Sequence, residues 1–138
     1  MLDIAVRVLP SLEEPMLSFT DYLTRYPAEM GLGTEPAETV FDRYHVPDFV
    51  LRNDGLLMDR DRLIAHARPA RRNATAVSVD VHQVLTAGDQ AAARYTLTAQ
   101  LRQGKTFSAE IYAFGTLAPD GRLALLDQVT RTLPGDGQ

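Results

Sequence analysis

From Thr75 to Leu133 apolar and polar residues alternate in four segments. Val77, Val79 and Val81 alternate with Ser78 and Asp80. Ala93, Tyr95, Leu97, Ala99 and Leu101 alternate with Arg94, Thr96, Thr98 and Gln100. Phe107, Ala109, Ile111, Ala113 and Leu117 are interleaved with Ser108, Glu110, Tyr112 and Thr116. The last segment carries Leu123, Leu125, Asp127 and Val129 on one side and Leu126, Gln128 and Thr130 on the other. Successive strand side chains point to opposite faces, so this period predicts four half-buried strands. Ala87-Gly88-Asp89, Gln103-Gly104-Lys105 and Pro119-Asp120-Gly121 separate them, short loops of the kind that join antiparallel neighbours. The result is an up-and-down meander whose apolar face needs a cover. Only the first 74 residues can supply one.

That first half reads as helices around a short hairpin. Residues 1–17, with Pro10 and Pro15, form a leader arm. Ser18 or Thr20 can cap a helix on which Phe19, Tyr22, Leu23 and Tyr26 make one apolar stripe, with Pro27 kinking or ending it. Thr34 can cap a second helix, Glu35 to Tyr44, presenting Val40, Phe41 and Tyr44. Phe49 to Asn53 reads as a short strand and Asp54-Gly55 as a hairpin turn into Leu56-Leu57-Met58. Asp59 is a good N-cap for a third helix from Arg60 to about Ala67, and Pro69 is expected to stop it. Pro134 to Gln138 is a frayed polar tail. The whole is one α+β domain over 1–138, with three helices on the concave face of a curved antiparallel sheet, enclosing a pocket.

Composition narrows the classes. The chain of 138 residues is long enough to bury a core without staples. A net charge of -4 argues against nucleic acid as the main partner. The absence of cysteine excludes disulfides, thiolate metal sites and cysteine nucleophiles. No apolar run reaches membrane-spanning length, and Ile4 to Leu9 is too short for a signal segment. A cytoplasmic protein without membrane contact is the default. The three histidines lack metal-ligand spacing, so neither a metal nor a cofactor is expected.

The element order, together with Tyr44 to Gly55, Asp59 to Ala67, Gly88-Asp89, Ala93 to Thr96 and Ala118 to Leu123, resembles the nuclear transport factor 2-like superfamily and, within it, SnoaL-like proteins. The resemblance covers roughly residues 18–133. It implies a cone-shaped α+β barrel of three N-terminal helices on a four-strand meander plus a short hairpin. Ketosteroid isomerases, polyketide cyclases, epoxide hydrolases, dehydratases and non-catalytic modules share the fold, so fold alone does not assign chemistry. The ketosteroid isomerase aspartate falls at Asn53 or Asp54, and its second acid at Ala113, where a methyl cannot donate a proton. Asn53 and Arg94 echo part of the epoxide hydrolase set, whose paired acid would fall at Thr96. SnoaL-like cyclases use an acid on the last strand, where this chain has Asp127 beside Gln128.

Which of those two faces the pocket depends on register, because a one-residue slip exchanges the faces of a strand. A three-residue loop at Pro119-Asp120-Gly121 pairs Leu117 with Leu123 and Ala113 with Asp127, turning Asp127 inward. A two-residue loop turns Gln128 inward. Buried among apolar groups, Asp127 would have a raised pKa and serve as acid or base, whereas Gln128 could only orient a ligand. The candidate catalytic residue is Asp127. The candidate ligand-binding residues are Asn53, Tyr22, Tyr26, Tyr95 and Gln128.

Each candidate also has a plainer account. Tyr22 and Tyr26 have the spacing of core aromatics, and Asn53 ahead of Asp-Gly suits a turn. His45, His66 and His82 read as exposed or locally satisfied. Arg60, Arg62, Arg68, Arg71 and Arg72 suit a solvated helix face better than an anion site. Two functions follow. One is a cofactor-independent cyclase, isomerase, dehydratase or hydrolase acting on a hydrophobic small molecule through Asp127. The other is a non-catalytic ligand-binding or dimerisation module. Apolar residues on both faces of the last strand predict a homodimer through the convex face of the sheet.

Overall fold

The computed structural model describes residues 18–134; the leader arm and residues 135–138 of the tail lie outside the described residues. Helix α1 spans Phe19–Leu32 and is capped by Ser18, whose hydroxyl accepts a bond from the Asp21 N–H at 3.0 Å. It does not end at Pro27. Proline removes one intrahelical bond, but Phe19, Tyr22, Leu23 and Met30 are buried on one face and hold the helix on both sides of it. Helix α2, Ala37–Tyr44, starts later than the Thr34 cap predicts: Pro36 occupies the N-cap position without a side-chain bond. Its face of Ala37, Val40, Phe41 and Tyr44 is buried.

Helix α3 runs from Arg60 to Asn73, capped by Asp59, whose carboxylate accepts from the Arg62 N–H at 3.0 Å. The expected stop at Pro69 is overturned. Tertiary bonds to the last turn outweigh the lost one: the Arg102 N–H donates to the Asn73 carbonyl at 2.8 Å, and the Arg102 guanidinium donates to that of Arg72. Arg71 reaches the other way, donating to the carbonyls of Met30 at 2.7 Å, Glu29 and Glu35. Three arginines of this helix, Arg60, Arg68 and Arg71, serve structure. Arg60 pairs with Asp42 and Arg68 with Glu38.

Strands β1 (His45–Asn53), β2 (Leu56–Asp59), β3 (Ala74–Ala87), β4 (Gln90–Leu101), β5 (Thr106–Leu117) and β6 (Leu123–Leu133) form one sheet in the order β2-β1-β6-β5-β4-β3. The predicted meander is β3 to β6, and the predicted hairpin is β1 with β2, turning at Asp54-Gly55 with φ of 52° and 85°. Two positive φ values in succession suit the tight hairpin turn that Asp-Gly favours. The all-antiparallel expectation is corrected. β1 pairs parallel with β6, Arg52 opposite Asp127 and Asn53 opposite Gln128. The chain from α3 through β5 supplies the long crossover that a parallel pair needs.

The β5–β6 register determines what the site contains. The loop is the predicted three-residue one: Leu117 opposes Leu123, and the Ala118 N–H donates to the Arg122 carbonyl at 2.7 Å. Immediately afterwards Thr116 opposes Leu125, leaving Ala124 as an extra residue in a β-bulge. Beyond it Ala113 opposes Gln128, not Asp127. Leu123 and Leu126 are both buried, three positions apart, because the bulge reverses the alternation between them.

Candidate functional site

Between the helices and the sheet lies a cavity of about 330 Å³. Tyr22 and Tyr26 come from α1, His45, Phe49 and Leu51 from β1, Tyr95 and Leu97 from β4, Ile111 from β5, and Leu126 and Gln128 from β6. A second lobe of about 390 Å³ extends along α3, between Met30, Ala70, Val77, Ala99 and Leu101. Tyr26, Pro27, Leu63, His66 and Leu97 line both lobes and join them. The wall is apolar and aromatic, with a few polar groups, the usual make-up of a small-molecule site.

The aromatic residues form one interlocked group. Tyr22 stacks on Tyr26 with ring centres 5.2 Å apart, and the His45 ring meets both edge-on. Phe41 stacks on His45 at 4.1 Å. Burial pushes the hydroxyl pKa values of Tyr22, Tyr26 and Tyr95 up, so all three are neutral donors or acceptors rather than phenolates. Burial likewise pushes His45 down to about 4, against the smaller opposing effects of its Phe41 bond and Asp42.

Of the predicted residues, Tyr22, Tyr26, Tyr95 and Gln128 line the cavity. Asn53 stands behind Gln128: its Oδ1 accepts from Gln128 Nε2 at 3.3 Å and from Thr130 Oγ1 at 2.9 Å. Asp54 remains at the turn, where its carboxylate accepts from the Thr130 N–H at 3.0 Å. Asp127 lies on the far face. Arg52, directly opposite on β1, donates to its Oδ2 through Nη2 at 2.5 Å and Nε at 3.1 Å. That charge-assisted bond holds the Asp127 carboxyl below its ordinary range. The expectation of an inward Asp127 with a raised pKa is therefore corrected, and the bulge at Ala124 is the cause.

His45, expected to be exposed or locally satisfied, is locally satisfied by Phe41 but also belongs to the cavity wall, which the sequence reading did not give. It is 1% exposed, its Nδ1 lies 2.8 Å from the Phe41 carbonyl oxygen, and its Nε2 lies 2.9 Å from the Tyr22 hydroxyl. A local signal existed in the four-residue spacing from Phe41, which lets a side chain just past a helix end reach back to the last-turn carbonyl that its own backbone N–H also meets. The Tyr22 partner, 23 residues earlier, has no sequence signature. Among the described residues no group of three or more His, Cys, Asp or Glu could hold a metal ion, and no helix is long and apolar enough to cross a membrane.

The family model of the SnoaL-like domain matches residues 33–126. The chain belongs to the SnoaL-like domain family. An uncharacterised protein of Schizosaccharomyces pombe is 27% identical over 118 residues, covering 86% of this chain and 81% of its own. Among solved structures, a nuclear transport factor 2-like protein from Exiguobacterium sp. 255-15 superposes with a TM-score of 0.63 at 16% identity, over 83% of this chain and 98% of that one. IdmH, a proposed polyketide cyclase from Streptomyces antibioticus, gives 0.58 at 15% identity, over 76% and 85%. A protein of ketosteroid isomerase-like fold from Catenulispora acidiphila, solved with trimethylamine, gives 0.58 at 14%, over 79% and 81%. At these identities the structural likeness establishes the fold: a SnoaL-like domain in which three helices pack on a six-stranded mixed sheet.

Proposed function

We propose that this SnoaL-like domain is a non-catalytic binding module for a hydrophobic small molecule. The observation that carries this reading is the cavity wall: mostly apolar and aromatic, with Tyr22, Tyr26, Tyr95, His45, His66, Asn73 and Gln128 as its polar members and no carboxylate among the described lining residues. Cofactor-independent cyclisation or isomerisation needs a group that takes and returns a proton near neutral pH. Asp127 is engaged by Arg52 on the other face, Gln128 does not titrate, both ring nitrogens of His45 are engaged by Phe41 and Tyr22, and His66 is solvent-exposed. Gln128, steadied by Asn53, and the tyrosine hydroxyls orient the ligand through neutral hydrogen bonds. The designation of IdmH as a proposed polyketide cyclase supports a polyketide-like ligand class.

Saturable 1:1 binding of an aromatic probe such as 2-naphthol, followed by its fluorescence, tests this. Leu97→Trp puts an indole where the two lobes meet and should abolish binding with the fold retained. Unchanged affinity in that variant would refute the assignment of the cavity.

The sheet face opposite the helices supports a second proposal, a homodimer. Phe114 is 69% exposed, Leu85 64% and Val129 58%, beside Tyr112 and Leu125. A patch of that kind on one face of a sheet marks an interaction site. Phe114→Glu should shift a dimer to monomer in sedimentation equilibrium; a wild-type monomer at micromolar concentration would refute the dimer.

A further inference from the structure

The wall of the cavity contains a hydrogen bond whose direction its neighbours dictate. His45 Nδ1 lies 2.8 Å from the Phe41 carbonyl oxygen. A carbonyl can only accept, so Nδ1 carries a proton. The ring is fully buried and resists protonation, so it is neutral near pH 7 and its Nε2 holds a lone pair. Tyr22 Oη lies 2.9 Å from that lone pair. Tyr22 therefore gives its only proton to His45 and keeps lone pairs alone for anything else that approaches.

Both side chains border the cavity. We infer that Tyr22, held in this state by His45, is a dedicated acceptor in the pocket wall that selects ligands bearing a hydroxyl over the same ligands with that hydroxyl methylated or oxidised to a carbonyl. A ligand O–H donates to Tyr22 Oη and completes a chain running from the ligand through Tyr22 and His45 to the Phe41 carbonyl. At Tyr22 Oη a ketone or methyl ether offers only lone pairs to lone pairs, and a buried acceptor left without a donor is penalised. The aromatic surround of Tyr26, Phe49 and Tyr95 favours a hydroxyl carried on a flat ring system. This inference rests on the binding function proposed above and narrows its ligand to hydroxylated, ring-bearing hydrophobic molecules.

Two measurements test it. The first compares 2-naphthol with 2-methoxynaphthalene, matched in ring system and differing in the donor. Wild-type protein should bind 2-naphthol about three- to tenfold more tightly, the range a net hydrogen bond supplies. Tyr22→Phe should erase that preference while still binding 2-methoxynaphthalene. His45→Leu frees the Tyr22 proton, so 2-methoxynaphthalene should gain affinity relative to 2-naphthol. Equal affinities in the wild type, or a preference retained in Tyr22→Phe, would overturn the inference and leave the binding function standing. Binding of neither compound would overturn both. The second measurement needs no ligand and no variant. The ¹⁵N shifts of His45 in the wild type should place the proton on Nδ1 and the lone pair on Nε2. A proton on Nε2 would make Tyr22 the acceptor of that bond, free its own proton toward the cavity and overturn the inference.

Discussion

Replacing His45 with glutamine turns the buried ring into a measurable pH dependence. In the unfolded chain this histidine titrates near 6.5, and in the folded protein burial pushes it down to about 4. Between those values the unfolded state binds more protons, so folding stability falls as the pH falls through that window and is complete above it. At about 1.4 kcal/mol per pH unit the gap corresponds to about 3 kcal/mol in all, of which about 2 kcal/mol is lost between pH 7 and pH 5. The carboxylates held below their ordinary values, Glu35, Asp42, Glu110, Asp120 and Asp127, release their contributions at lower pH, outside this interval. Glutamine does not titrate, and its amide can donate to the Phe41 carbonyl while its oxygen accepts from Tyr22. Urea unfolding at pH 7 and pH 5 should therefore show a midpoint drop in the wild type larger by about 1 M than in His45→Gln, given a slope near 2 kcal/mol/M. Equal drops in the two proteins would show that His45 is not desolvated as described, and the neutral tautomer argument would fall with it.

Other expectations concern the sheet and the helix end. Asp127→Asn should leave 2-naphthol binding unchanged, because the residue faces away from the cavity; a large loss in a titration would return Asp127 to the site. Leu123→Ala should destabilise the fold by about 2–5 kcal/mol in chemical denaturation, since Leu123 is 1% exposed beside the bulge and the vacated space faces the rigid backbone of Gly115. Gly33→Ala puts a methyl 2.3 Å from the Glu29 carbonyl oxygen, so α1 must shift at its C-terminus; a loss of about 1–3 kcal/mol in melting experiments is expected, and a neutral result would contradict the packing there.

Much of this architecture could be read from residue pattern. Period-two alternation and glycine-centred turns define the meander because strand pairing there is local, each strand beside its sequence neighbour. The helices continue past Pro27 and Pro69, against the local signal, because the burial of Met30 beyond the first and the tertiary bonds of Arg71, Arg72 and Asn73 beyond the second outweigh each proline's cost. The parallel β1–β6 pairing escaped detection because it joins residues about 75 positions apart, with nothing local to announce it. The site depended on a finer detail. The loop at Pro119-Asp120-Gly121 was readable and has the predicted length, yet the extra residue at Ala124 reversed its consequence, and no side-chain pattern distinguishes a bulged alanine from a regular one. The tyrosines of the pocket could be named from helical and strand spacing. The hydrogen-bond polarity of Tyr22 could not, because it depends on His45.

The bulge carries a consequence that belongs to the genetic code. Because Ala124 takes up one residue of β6, position 128 looks into the cavity and position 127 does not. Glutamine and glutamate codons differ at a single base. A glutamate at 128 would be a desolvated carboxyl beside Asn53, with a raised pKa and the capacity to exchange protons near neutrality. On this backbone a neutral pocket and a proton-transferring one stand one nucleotide apart, and the extra residue in the strand decides at which codon that change must fall.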